Sequence, residues 1–117
     1  MGEMQDSFKI SEIIGGDTAV STDDGQKVFD LLQKNIASHK SAVADFSEIN
    51  IMTTAFLNAA IGQLYSQFTS EELNKYLKLV NVADEDKILF KKVVDRAKQY
   101  FEDQKSFDSA VNSGLNG

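Results

Sequence analysis

One short run, SAVADF over Ser41–Phe46, constrains the fold more than any other, because segments of helical period stand on both sides of it. Small and apolar side chains closing on Asp45-Phe46 read as a short buried strand. Ahead of it, Val28, Leu31, Leu32 and Ile36 fall at i, i+3, i+4 and i+8, one stripe of an amphipathic helix. Behind it, from Thr53 to about Phe68, Phe56, Ala60, Leu64 and Phe68 recur every four residues, with Leu57 and Ile61 beside them. A strand separated from its neighbours by helices cannot form a hairpin with them. It is expected to join a parallel ladder through right-handed crossovers.

The remaining segments follow the same alternation. FKISEIIG, Phe8 to Gly15, alternates Phe8 and Ile10 with polar residues and is expected as a half-buried edge strand closed by Gly15-Gly16. Ala19–Thr22 either extends that strand or begins a second one. Ser21, Thr22 and Asp23 are cap candidates for the helix that follows. Thr69 with Glu72 three residues on has the form of a capping box, so a short helix starts there. LKLVNV, Leu77 to Val82, reads as the next strand. Phe90, Val93, Val94, Ala97 and Phe101 form the stripe of a closing helix, with acids ahead of bases as its dipole favours. The order β, α, β, α, short α, β, α predicts one α/β domain over residues 1–104, with a polar, frayed tail over residues 105–117.

Composition narrows the functional classes. With 117 residues, 42% of them hydrophobic, the chain can build one core and not two. A net charge of -6 and no clustered basic stripe argue against nucleic acid or an anionic membrane surface as partner. The absence of cysteine removes disulfides, thiolate metal sites and cysteine nucleophiles. No apolar run approaches the roughly 20 residues that span a bilayer, and MGEMQDS lacks the basic-then-apolar order of a signal peptide. A cytoplasmic location is expected.

Catalytic patterns are absent from the sequence. His39, the single histidine, stands beside Lys40 at a helix end and reads as a surface or capping residue. There is no GxGxxG, Walker A, GxSxG or HExxH motif. The acids at Asp23-Asp24, Glu71-Glu72 and Asp84-Glu85-Asp86 each fall where a helix begins, which capping explains without a metal. The expectation is therefore a non-catalytic domain with neither cofactor nor metal.

Attention falls on VADFSEINIMTTAFLNAAIG, Val43 to Gly62, where a strand hands over to a helix opened by two threonines. Open α/β sheets place working residues at the carboxyl ends of their strands. A phosphate added to Thr53 or Thr54 would face unpaired helix N–H groups and bring about -1.5 to -2 charges. The plainer reading makes Thr53 an N-cap and Thr54 a first-turn residue, with nothing switched.

VADFSEINIMTTAFLNAAIGQLY resembles the central motif of STAS domains, the fold of anti-sigma factor antagonists. In that motif a strand ending in Asp, an apolar residue and Ser leads into a helix opening with Asp-Ser-Ser/Thr-Gly. The chain is similar also to bacterial STAS-like domains of unknown function, in which DFS-x-I precedes Thr/Ser, AFLN and IGQLY. The resemblance spans about Gly25 to Phe101. It implies a central, mostly parallel sheet of about four strands with helices packed on one side.

The same resemblance implies a partner of the histidine-kinase-like ATPase or anti-sigma factor kind. By position the phosphoacceptor candidates are Thr53 and its neighbour Thr54. The partner-binding candidates are Asp45, Ser47, Met52, Thr53, Thr54 and Phe56. Met52 stands where the antagonists have an acid, and Ala55 where they have glycine. These departures separate the fold, which transfers, from the phosphorylation cycle, which transfers less well. A small-ligand or nucleotide sensor using the same crevice is the alternative expectation, although no basic residue flanks the threonines between Val43 and Ser66.

Overall fold

The structure, a computed structural model, describes the backbone of residues 5–116 and the side chains of residues 5–101. Among the described residues, five strands and five α-helices follow in the order β1 (Gln5–Lys9), α1 (Ile10–Ile14), β2 (Thr18–Ala19), α2 (Thr22–Ala37), β3 (Ser41–Asp45), β4 (Ile51–Met52), α3 (Thr54–Ala60), α4 (Ser70–Tyr76), β5 (Leu77–Val80) and α5 (Asp84–Asn116). A 3-10 turn over Gly62–Ser66 continues α3. The expected tail over residues 105–117 falls where side chains lie outside the described residues.

All pairing among the described residues is parallel. β3 is the middle strand of a three-stranded sheet ordered β1-β3-β5, while β2 and β4 form a separate two-stranded ladder. The single sheet of about four strands is thus corrected to three plus two. The reason is visible at Phe46–Asn50, where the chain leaves β3 and turns before pairing Ile51 and Met52 with Thr18 and Ala19.

Register decides which sheet face is buried. Phe8, Ala44 and Leu79 lie in one row, with Ala42 and Leu77 in the row below, and all five join the core or pack against it. The opposite face carries Ser7, Val43 and Lys78 in one row and Lys9, Asp45 and Val80 in the next. Side chains alternate across a strand, so a one-residue slip would exchange these two faces. The helices supply the rest of the core through Val28, Phe29, Leu32 and Ile36 of α2, Phe56, Leu57 and Ala60 of α3, and Phe90, Val93 and Ala97 of α5. Phe46 meets Phe90 edge-on, with ring centroids 4.9 Å apart.

Two local expectations are corrected. The stretch Phe8–Gly15 is not one strand: β1 ends at Lys9, and Ile10, Ile13 and Ile14 turn inward from α1 at helical spacing. Gly15 ends that helix in the left-handed region at φ 75°, where its amide donates to the Ser11 carbonyl. Leu31, expected on the buried stripe of α2, is 41% exposed, and Phe29 takes its place in the core. Ser21 is the cap of α2, its hydroxyl accepting from the Asp24 amide at 3.1 Å. The box at Thr69 and Glu72 forms in both directions, as expected.

Tight packing between helices places the two N-termini that matter for the site. A Cβ built on Gly25 of α2 would lie 2.6 Å from both the Ala59 Cβ and the Phe56 carbonyl oxygen of α3. Glycine is what allows these backbones to approach so closely. Buried Asn35 fastens the other end of α2 to β3, its Nδ2 donating to the Lys40 and Ser41 carbonyls at 3.2 and 3.0 Å. Among the described residues no helix is long and apolar enough to cross a membrane.

Candidate functional site

β2 and β4 each run directly into a helix, β2 into α2 through Ser21 and β4 into α3 through Thr53. Because the strands are parallel and in register, the two helices start side by side. The Thr53 amide donates to the Ala19 carbonyl at 3.1 Å, extending the ladder by one bond. Its hydroxyl donates to the Val20 carbonyl at 3.0 Å and accepts from the Phe56 amide at 3.3 Å. Thr53 is thus the N-cap of α3, with both functions of its hydroxyl occupied.

Thr54 differs in every respect that bears on chemistry. It is the first helical residue, it is exposed, and its hydroxyl has no hydrogen-bond partner among the described residues. Exposed apolar side chains stand on the small ladder that leads into α3. Ile51 is 55% exposed and Val20 38% exposed. Ile51 pairs with Thr18, and Val20 lies two residues beyond Thr18, so the three share the outward face of the small ladder. Met52 faces the other way, half-buried against the core beside Ala19. A shallow groove of about 450 Å³ continues from Ala55 along the seam between α2 and α3, lined also by Thr22, Asp23, Gln26 and Asn58.

The strand-end candidates form a second cluster at the carboxyl end of β3. Asp45 Oδ1 accepts from the Ser47 amide and from Asn81 Nδ2, each at 2.9 Å. The Asn81 bond and then the Ser47 amide hold the Asp45 carboxyl below its ordinary value. Lys9, next to Asp45 across the ladder, is bonded to Glu48 at 2.7 Å, and that bond raises its pKa. Asn81 and Glu48 both occupy the left-handed region, at φ 58° and 66°. Together these bonds fix the turns that leave β3 and β5.

The six partner-binding candidates therefore separate. Thr53 and Thr54 lie together at the start of α3, and Asp45 is bonded to the Ser47 amide and to Asn81 instead, with no hydrogen bond joining the two groups among the described residues. Met52 offers only part of its surface. Phe56 is fully buried in the core, which corrects its assignment as a docking residue: position i+2 after Thr54 on α3 turns it inward. Val20 and Ile51, which the sequence did not single out, take the exposed apolar role. A two-residue strand leaves too little periodicity to reveal them.

The loop before β4 is held by Asp17, whose Oδ2 accepts from Asn50 Nδ2 at 2.6 Å and whose carbonyl accepts from the Asn50 and Ile51 amides. The Asn50 bond, with help from Thr18, lowers the Asp17 pKa. His39, just past the Ser38 cap of α2, is in the left-handed region at φ 62° and lies edge-on to Tyr76 with ring centroids 5.8 Å apart. Among the described residues no three acidic or histidine side chains converge as a metal site would require.

Comparison with known proteins gives one family. The model of the STAS-like domain of unknown function (DUF4325) matches residues 24–87, more than half of the chain, from α2 through the first turn of α5. No curated protein and no solved structure matches. The matched segment contains β3, the Thr53 cap and the whole of α3, and the chain belongs to this family of STAS-like domains.

Proposed function

We propose that the chain is a non-catalytic regulatory module of bacterial signalling, docking a protein partner on the face where β4 passes into α3. The observation that supports this reading is an exposed Thr54 hydroxyl, with no hydrogen-bond partner among the described residues, at the start of the helix that follows β4, whose exposed Ile51 shares the outer face of the small ladder with Val20. Exposed apolar side chains gathered on one face mark interaction surfaces more often than scattered ones do. The resemblance to anti-sigma factor antagonists suggests a partner of the histidine-kinase-like ATPase or anti-sigma factor kind.

A phosphate in this region would be carried by Thr54. Thr53 spends its hydroxyl on the cap and on Val20, and phosphorylating it would break both bonds. On Thr54 the added charge of about -1.5 to -2 would stand next to a groove that already holds Asp23, and would repel an acidic or apolar partner surface.

The test is a binding comparison with a candidate partner ATPase from the native host. Wild-type protein should bind and the Ile51→Lys and Thr54→Glu variants should bind at least about tenfold more weakly, a loss of about 1.4 kcal/mol. Equal binding by all three proteins would remove the reading. A thermal shift with nucleotides but none with the ATPase would favour the small-ligand alternative, since ligand at about 100 times its dissociation constant adds about 2.7 kcal/mol.

A further inference from the structure

A second surface lies at the opposite, amino end of the main ladder and does not depend on the Thr54 reading. β1 is an edge strand: β3 pairs one side of it, and no strand pairs the other among the described residues. Every second N–H and C=O on that side points outward. Beside it lies an open cleft of about 410 Å³ between Asp6, Ser7 and Phe8 of β1 and Leu31 and Lys34 of α2, lined also by Ser38 and Lys40 just beyond that helix.

The cleft has a definite chemical character. Leu31 turns out of the core to line it, opposite half-buried Phe8. Lys34 and Lys40 contribute two ammonium groups with no ion-pair partner among the described residues, against the single carboxylate of Asp6. This is a cationic patch on a chain whose net charge is -6. A strand laid along β1 would turn alternate side chains toward α2, where they would meet Leu31 and Lys34.

We infer that the cleft between β1 and α2 receives an extended acidic segment of a partner protein, added to β1 as a further strand. Backbone bonds to the free side of β1 hold the segment, its carboxylates face Lys34 and Lys40, and an apolar side chain covers Leu31 and Phe8. Charge complementarity selects an acidic segment over a basic one. It also disfavours a second copy, whose β1 would bring another pair of lysines to the same place.

The probe is acetyl-Thr-Glu-Thr-Glu-Thr-Val-Thr-amide, which presents Glu, Glu and Val on one face when extended, titrated into the 117-residue protein by NMR. Amide shifts confined to residues 5–9 and 31–40 are expected. The Lys34→Glu, Lys40→Glu double variant should bind about tenfold more weakly, and N-methylation of alternate peptide amides should abolish binding. The inference is overturned if no binding occurs, if a peptide with Lys in place of Glu binds equally well, or if the shifts lie elsewhere. It is overturned too if sedimentation shows that a second copy fills the edge.

Discussion

The Thr53 hydroxyl donates to the Val20 carbonyl at 3.0 Å across 33 positions of sequence while accepting from the Phe56 amide. One oxygen thus caps α3 and ties it to the segment leading into α2. Removing that oxygen leaves an amide and a carbonyl without their partner. Thr53→Ala is expected to cost about 1 kcal/mol, within the range of lost caps, and Thr54→Ala less than about 0.5 kcal/mol, as for other exposed positions. Urea unfolding of the two variants checks the contrast, and equal losses would contradict the assignment of the cap.

Gly25 sets the distance between α2 and α3. Alanine is the better helix former by about 1 kcal/mol, so an open position would gain from Gly25→Ala. Here the new methyl would meet Ala59 Cβ and the Phe56 carbonyl at 2.6 Å, and the second of these is backbone that cannot rotate aside. Overpacking of this kind costs about 1–3 kcal/mol, so Gly25→Ala should lower the melting temperature. An increase would show that the helices part without loss.

Asp45 ties acid stability to the ends of β3 and β5. Its carboxyl is depressed in the folded state by Asn81 and the Ser47 amide, as that of Asp17 is by Asn50 and Thr18. A depressed carboxyl stabilises the fold above its unfolded value of about 4. That stability is lost as pH falls through the lower folded value. Asp45→Asn keeps the acceptor oxygen but removes the charge. Wild type should be the more stable at neutral pH, and the difference should close as pH drops below the folded value. A difference that stays constant down to acid pH would assign the effect to shape. Solvent reaches both carboxylates, so each contribution is small.

Much of this architecture was legible in the sequence, and the failures have physical causes. β3 and α2 were readable because their periods differ and persist, and α4 because Thr69 and Glu72 form a reciprocal cap. The β1–α1 boundary was not, since Ile10 fits both the strand alternation with Phe8 and the helical spacing with Ile13 and Ile14. β2 and β4 pair over two residues each, which is too short for any period, so the division into two sheets was hidden. At the site the two threonines were located but could not be ranked. What separates them is Val20, a residue far away in sequence whose carbonyl holds the Thr53 hydroxyl, while that of Thr54 has no partner among the described residues.

That separation gives the sharpest test of modification. If a cognate kinase acts on this surface, the single added phosphate should map to Thr54 by peptide mass analysis, disappear in Thr54→Ala and persist in Thr53→Ser, which keeps a capping hydroxyl. The modified protein should remain folded, because Thr54 lies in the first turn, where added negative charge is tolerated by the helix dipole. Phosphate recovered on Thr53 instead would mean that the bonds to Val20 and Phe56 open readily in solution. Such opening would also expose the α3 amides, and hydrogen exchange at Phe56 would report it independently: protection in the unmodified protein is the expected result, and fast exchange there would undo the distinction between the two hydroxyls.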